Sequence, residues 1–108
     1  MSNAQEIAQT ILSQLGGNKF TAMTGANSFV AHDAGLSFRL PGGGFTKDGI
    51  NYVMITLNSL DLYDVKYMKI RKGKGIPQVK IISESAILYA DMLQEDFART
   101  TGLNTRLF

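Results

Sequence analysis

The sequence of 108 residues contains no cysteine and a single histidine. The absence of cysteine excludes disulfide bonds and thiolate metal sites, so the fold depends on side-chain packing alone. No apolar run reaches the roughly 18 to 20 residues that a membrane-spanning helix requires. No basic segment followed by an apolar block indicates a signal peptide. Together these absences lead us to expect a cytoplasmic protein.

The composition is that of an ordinary globular chain, with 44% hydrophobic and 19% charged residues. A chain of this length is expected to form a single domain over residues 1–108. Such a domain is large enough to bury a core, although its stability margin is small.

Positive charge is concentrated in one part of the sequence. Residues 66–80 contain six of the eleven cationic side chains and no acid. The six are Lys66, Lys69, Arg71, Lys72, Lys74 and Lys80. The rest of the chain holds five cations and nine acids, although the net charge is only +2. This distribution predicts one basic patch on a mildly acidic body.

The hydrophobic spacing of the first segment is helical. Apolar residues recur at spacings of three and four, at Ala4, Ile7, Ala8, Ile11, Leu12 and Leu15. This spacing predicts a helix over residues 4–15 that ends at Gly16-Gly17. We interpret residues 19–24 and 27–32 as two short strands separated by a turn.

The middle of the chain alternates with the period of a strand. The alternation predicts strands over residues 36–40, 52–57 and 62–71, and a further strand that follows Pro77. The apolar positions of the long strand change parity, which predicts a β-bulge between Lys66 and Met68.

A second amphipathic helix is predicted near the C-terminus. Its N-cap is Ser83 or Ser85, and Gly102 ends it. Its core stripe consists of Ala86, Tyr89, Ala90, Leu93 and Phe97. The predicted fold is therefore α+β: an N-terminal helix, a four- to five-stranded antiparallel sheet and a C-terminal helix, with both helices on one sheet face.

Three stretches of the chain resemble a family of small uncharacterised proteins of bacteriophages and related mobile elements. They are residues 11–26, residues 55–65, and residues 89–97 together with Thr101-Gly102-Leu103. The resemblance covers most of the chain and implies a phage or prophage product that acts in bacterial cytoplasm. It brings no activity, cofactor or catalytic residue with it.

A second likeness concerns only the order of elements. Tyr63-Asp64-Val65-Lys66, then Gly73-Lys74-Gly75-Ile76, then a helix, is similar in arrangement to the transcriptional coactivators that bind single-stranded DNA on a curved sheet. The chain departs from that pattern because it has an additional N-terminal helix and different spacing.

The basic region is the candidate binding site. Its members are Tyr63, Lys66, Tyr67, Lys69, Arg71, Lys72, Lys74 and Lys80. Proteins that bind single strands combine a cationic groove with aromatic faces on which bases stack, and Tyr52, Tyr63 and Tyr67 are candidates for the aromatic part. The alternative is that the lysines only keep exposed strands from aggregating.

The sequence offers little for catalysis. His32 and Asp33 are neighbours and would point to opposite faces of an extended chain, which does not suit a catalytic pair. Asp91, Glu95 and Asp96 are interpreted as a solvated helix face, and no glycine-rich segment matches a phosphate-binding loop. We therefore expect no catalytic residue, metal or cofactor, and no enzymatic activity.

Two functions remain as hypotheses. The first is a small accessory protein that binds a host or phage protein, for example as an inhibitor. The alternative is binding of single-stranded nucleic acid through residues 63–80. A homodimer, formed by a strand edge or by the face that bears Tyr52 and Met54, is a further hypothesis.

Overall fold

The computed structural model describes residues 4–41, 46–71 and 75–103. The helices in these ranges are α1 (Ala4–Leu15), α2 (Gly17–Thr24) and α3 (Leu93–Thr101). The strands are β1 (Asn27–His32), β2 (Gly35–Arg39), β3 (Tyr52–Leu57), β4 (Tyr63–Arg71) and β5 (Gln78–Leu88). Short 3-10 turns occupy Lys47–Gly49 and Ala90–Met92.

The five strands form one antiparallel sheet in the order β1-β2-β3-β4-β5, so each strand pairs with the next strand along the chain. Helix α1 packs across β1 and β2, and α3 packs against β4 and β5. We call the covered side the helix-side face; it carries Val53 and Val65, which are buried. The opposite side is the outer face, which carries Met54 and Lys66. The predicted α+β architecture is confirmed.

Three phenylalanines form the centre of the core between the helices and the sheet. Phe20 of α2 lies 5.4 Å from Phe38 of β2 and 5.0 Å from Phe97 of α3, measured between ring centroids. Both pairs have the edge-to-face geometry that aromatic rings favour. Because the three rings come from three separate elements, their contact joins α2 and α3 to the sheet.

The expectation of a strand over residues 19–24 is wrong, because these residues form α2. The left-handed conformation of Gly25 ends this helix, and the Thr24 hydroxyl donates to the Phe20 carbonyl oxygen at 2.7 Å. Only Phe20 and Thr24 of α2 are buried. A short helix can point Phe20 at the core without any neighbouring strand. A strand at the same place would require another strand to pair with its backbone.

The predicted start of the second helix is also wrong. Strand β5 continues to Leu88, so Ser83 and Ser85 lie within the sheet instead of capping a helix. The predicted core stripe keeps Leu93 and Phe97, which are buried, but Tyr89 is exposed. The helix begins only where the chain leaves the sheet edge, after the 3-10 turn at Ala90–Met92.

A β-bulge is confirmed at the predicted position, but its additional residue lies in β5, and the side chains of β4 alternate without interruption. Tyr67 pairs with Ser83, whereas the next residue, Met68, pairs with Ile81, so Ile82 is the additional residue in β5. Up to Tyr67 the apolar side chains of β4 face the helices. Beyond it the apolar positions change to the outer face, and charged side chains occupy the helix side.

Phe20→Ala is expected to destabilise the protein by about 3–5 kcal/mol, because it leaves a cavity among the core rings. Phe29→Ala is the control, since Phe29 lies on β1 with about a third of its surface exposed. Urea unfolding of both variants measures the difference. If Phe20→Ala costs no more than Phe29→Ala, the aromatic core is not where the structure places it.

Candidate anion-binding site

A recess of about 820 Å³ lies at the end of the β4–β5 ribbon. Lys69 of β4 is directly opposite Lys80 of β5, and Arg71 is opposite Gln78. Because side chains alternate along a strand, these four share the helix-side face with Tyr67. The lining residues are Asp48, Lys69, Arg71, Gln78, Val79, Lys80, Ile81 and Ile82. We call this feature the basic recess.

The 3-10 turn at Lys47–Gly49 forms one wall of the basic recess. Gly49 has a φ of +72°, and a Cβ atom there would lie 3.0 Å from Nζ of Lys69. Glycine therefore satisfies the left-handed backbone and also leaves room for the lysine side chain. Lys47 donates from Nζ to the carbonyl oxygen of Arg99 at 3.1 Å, which ties the turn to the end of α3.

Asn51 holds the end of β4 in place beneath the recess. Its Nδ2 donates to the carbonyl oxygen of Ile70 at 3.0 Å, and its Oδ1 accepts from the N–H of Ile70 at 2.8 Å. The Asn51 side chain thus takes the place of a backbone partner for Ile70, just before the first residue of β3. This pairing fixes the backbone between Lys69 and Arg71, and so fixes the direction of both cations.

The cations of the basic recess have no ion-pair partner within 4.0 Å among residues 4–41, 46–71 and 75–103. The ion pair found in these ranges joins Arg99 to Asp96. Like charges directly opposite each other on a sheet are unfavourable, so the pairing of Lys69 with Lys80 costs stability. Three cations and Asp48 line the recess, which leaves a formal charge of +2.

The structure brings together only part of the predicted binding set. Lys69, Arg71 and Lys80 meet in the basic recess, whereas Lys66 lies on the outer face opposite Glu84. The strand alternation separates Lys66 from the other cations, although it is close to them in sequence. Lys72 and Lys74 lie outside the described residues.

The expectation that Tyr63 and Tyr67 offer stacking faces is wrong. Their side chains are 5% and 1% exposed, because both share the helix-side parity of β4 with Val65. Tyr52 lies on the outer face, where its hydroxyl donates to Ser37 Oγ at 2.9 Å. None of these three tyrosines therefore presents a ring to the basic recess.

A buried carboxylate explains why Tyr67 is in the core. Asp96 of α3 is 3% exposed and accepts hydrogen bonds from the Tyr67 hydroxyl at 2.6 Å and from Ser85 Oγ at 2.9 Å. Arg99 completes the group, with Nη2 at 2.9 Å from Oδ1 of Asp96. Burial, followed by the hydrogen bond and the negative charge of Asp96, raises the pKa of Tyr67 well above its ordinary range.

The interpretation of Asp96 as part of a solvated helix face is therefore wrong. The sequence held a signal for its true position, because Asp96 follows the core residue Leu93 by three positions and precedes Phe97 by one. That spacing places Asp96 on the buried stripe of the helix. The partners Tyr67 and Ser85 come from distant parts of the chain, and no local pattern identifies them.

Ser37 and His32 form a second polar group, on the outer face. His32 Nε2 lies 2.8 Å from Ser37 Oγ, which also accepts the hydrogen bond from the Tyr52 hydroxyl. This distance suits a nucleophile and its base, but Ser37 is completely buried and cannot reach a substrate in this conformation. The group joins three strands of the sheet, and Asp33 is not part of it.

The described ranges contain no cluster of three or more histidine, aspartate or glutamate side chains arranged to hold a metal ion. None of the helices in those ranges is long and apolar enough to cross a membrane. Comparisons with protein-family models, with curated proteins and with solved structures returned no match. The resemblance to phage proteins thus stays a prediction.

Tyr67→Phe is expected to lower the free energy of unfolding by about 1–2 kcal/mol near neutral pH, because Asp96 loses a hydrogen-bond donor. The difference in unfolding free energy between this variant and the unchanged protein should become smaller as the pH rises. The pKa of Tyr67 is raised in the folded state, so its stabilising effect is complete below the unfolded pKa of about 10 and declines above it.

Urea unfolding of both proteins between about pH 9 and pH 11 measures this effect. The difference in unfolding free energy should shrink by about 1.4 kcal/mol over that range, since the unfolded tyrosine ionises first. All other titrating groups are common to the two proteins and cancel. A difference that stays constant would show that the Tyr67 hydroxyl is not buried against Asp96.

Proposed function

We propose that the protein acts by binding an acidic, extended segment of a partner protein in the basic recess. The observation that carries this proposal is the set of Lys69, Arg71 and Lys80 on one face of the ribbon, which have no ion-pair partner in the part of the chain that the structure describes. A bound carboxylate would lie between Lys69 and Lys80 and would remove their mutual repulsion. Relief of the repulsion between the two lysines then adds to the favourable free energy of binding.

The walls of the recess favour a polypeptide over a nucleic acid. None of the described residues that line it is aromatic. Binding of single strands relies on aromatic rings for stacking, and Tyr63 and Tyr67 are buried in the core. An acidic, extended polypeptide segment matches the cations and needs no aromatic partner.

Strand β5 supplies a second means of recognition. It is eleven residues long and is an edge strand of the sheet. The backbone groups along its free edge are not paired with another strand of the described sheet. An extended peptide can add to such an edge through main-chain hydrogen bonds. Every second side chain of the added strand would then lie on the helix-side face, next to Lys80 and the basic recess.

We propose that the partner is a host or phage protein. The resemblance of residues 11–26, 55–65, 89–97 and 101–103 to phage and mobile-element proteins supports a host or phage protein in this role. A protein that covers an acidic segment of an enzyme or receptor would act as its inhibitor. The alternative, a single-stranded nucleic acid, is favoured only by the unpaired cations and is separated by the same experiment.

Fluorescence anisotropy with a labelled peptide of alternating glutamate and valine tests the proposal. Lys80→Glu should weaken binding about tenfold, equivalent to about 1.4 kcal/mol. The substitution replaces a cation of the recess by a negative charge, which repels the negative charges of the peptide. The matched control is Lys19→Glu, which makes the same change of charge at an exposed position of α2. This control should bind the peptide as the unchanged protein does.

Two outcomes would contradict the proposal. Equal weakening by Lys80→Glu and Lys19→Glu would show that only the net charge matters. Tighter binding of a labelled oligothymidylate than of the peptide, with loss of affinity as salt rises, would favour the nucleic-acid alternative. A peptide of alternating lysine and valine serves as the negative control, since the recess should repel it.

A further inference from the structure

The outer face of the β4–β5 ribbon has a chemistry unlike that of the basic recess. Three cross-strand pairs follow one another along it: Lys66 with Glu84, Met68 with Ile81, and Ile70 with Val79. One row is therefore an opposite-charge pair, and two rows are apolar. Ile81 and Val79 are 50% and 58% exposed, and no helix of the described ranges covers them.

We propose that this face is the contact between two copies of the chain. The two copies are related by a twofold axis that lies in the plane of the contact, runs parallel to the strands and passes between β4 and β5. Such an axis exchanges each β4 position with its β5 partner. Lys66 of each copy then meets Glu84 of the other, Met68 meets Ile81, and Ile70 meets Val79.

The charge pattern selects a second copy over other occupants. An anionic partner is repelled by Glu84, and a cationic partner is repelled by Lys66. A second copy presents both charges in the reverse order, so each lysine faces a glutamate on both sides of the axis. An interface of this kind is isologous, since the same patch is used twice.

The proposed contact is compatible with packing between sheets. Two sheets stack about 10 Å apart with their strands nearly aligned. The contact involves two strands from each copy, so we expect a weak dimer whose population rises with protein concentration. Lys69, Arg71 and Lys80 lie on the opposite, helix-side face and stay accessible in the dimer, so this inference does not depend on the proposed function.

Sedimentation velocity over a range from micromolar to millimolar protein tests the inference. The unchanged protein should shift from monomer towards dimer as its concentration rises. Lys66→Glu and Glu84→Lys should each raise the dimer dissociation constant by at least about tenfold, because like charges then meet across the axis. The double variant, which exchanges the two charges, should dimerise as the unchanged protein does.

A mixture of the two single variants is the decisive arm of the experiment. One carries two glutamates at these positions and the other carries two lysines, so each repels itself and matches the other. The mixture should form a heterodimer at concentrations where each variant alone is monomeric. Circular dichroism of each variant checks that it is folded, and the double variant keeps the test valid if one single variant unfolds.

Several results would overturn the inference. One is an unchanged protein that is monomeric even at millimolar concentration, and another is dimerisation of both single variants to the same extent as the unchanged protein. A mixture that stays monomeric, while the unchanged protein dimerises, would also exclude the reciprocal contact between Lys66 and Glu84. In any of these cases the outer face of the ribbon is not the interface between copies.

Discussion

The carboxylate of Asp96 holds helix α3 against two strands at once. It accepts hydrogen bonds from Tyr67 of β4 and Ser85 of β5, and Arg99 lies beside it on the helix. A carboxylate that is removed from water is very costly unless several donors surround it, so these partners must stay together. The position of α3 on the ribbon is therefore fixed close to the bulge that follows Tyr67.

The two faces of the ribbon differ because α3 covers only part of it. Up to Tyr67 the helix side is covered and apolar, and beyond Tyr67 that side carries Lys69 and Arg71. The apolar residues Met68 and Ile70 then occupy the outer face. The additional residue of β5 brings Lys80 to the helix side and Ile81 to the outer face, so a cationic recess and a largely apolar, charge-balanced patch lie on opposite sides. The two proposed contacts, with an acidic segment and with a second copy, use these opposite faces.

Much of the fold follows from local patterns, and the exceptions have physical causes. Helical spacing predicts residues 4–15 correctly, and the parity change predicts the bulge beside Tyr67. The alternation of residues 19–24 favours a strand, because no local signal shows that Phe20 alone must reach the core of the helical segment. The burial of Tyr67 and Asp96 depends on a contact between residues 29 positions apart, which no spacing rule contains. The sequence predicts the cations of residues 66–80 as one group, but the alternation of β4 places Lys66 on the other face.

The most direct test of the account follows the backbone amide resonances of the protein while an acidic, extended peptide is added. The account predicts that the resonances of β4 beyond Tyr67, and of β5 from Gln78 to Ile82, shift together and saturate at one affinity. The resonances of α1, which packs on β1 and β2, should stay where they are. Shifts spread evenly over the exposed lysines, or confined to residues outside the ribbon, would contradict the claim that the basic recess is the binding site.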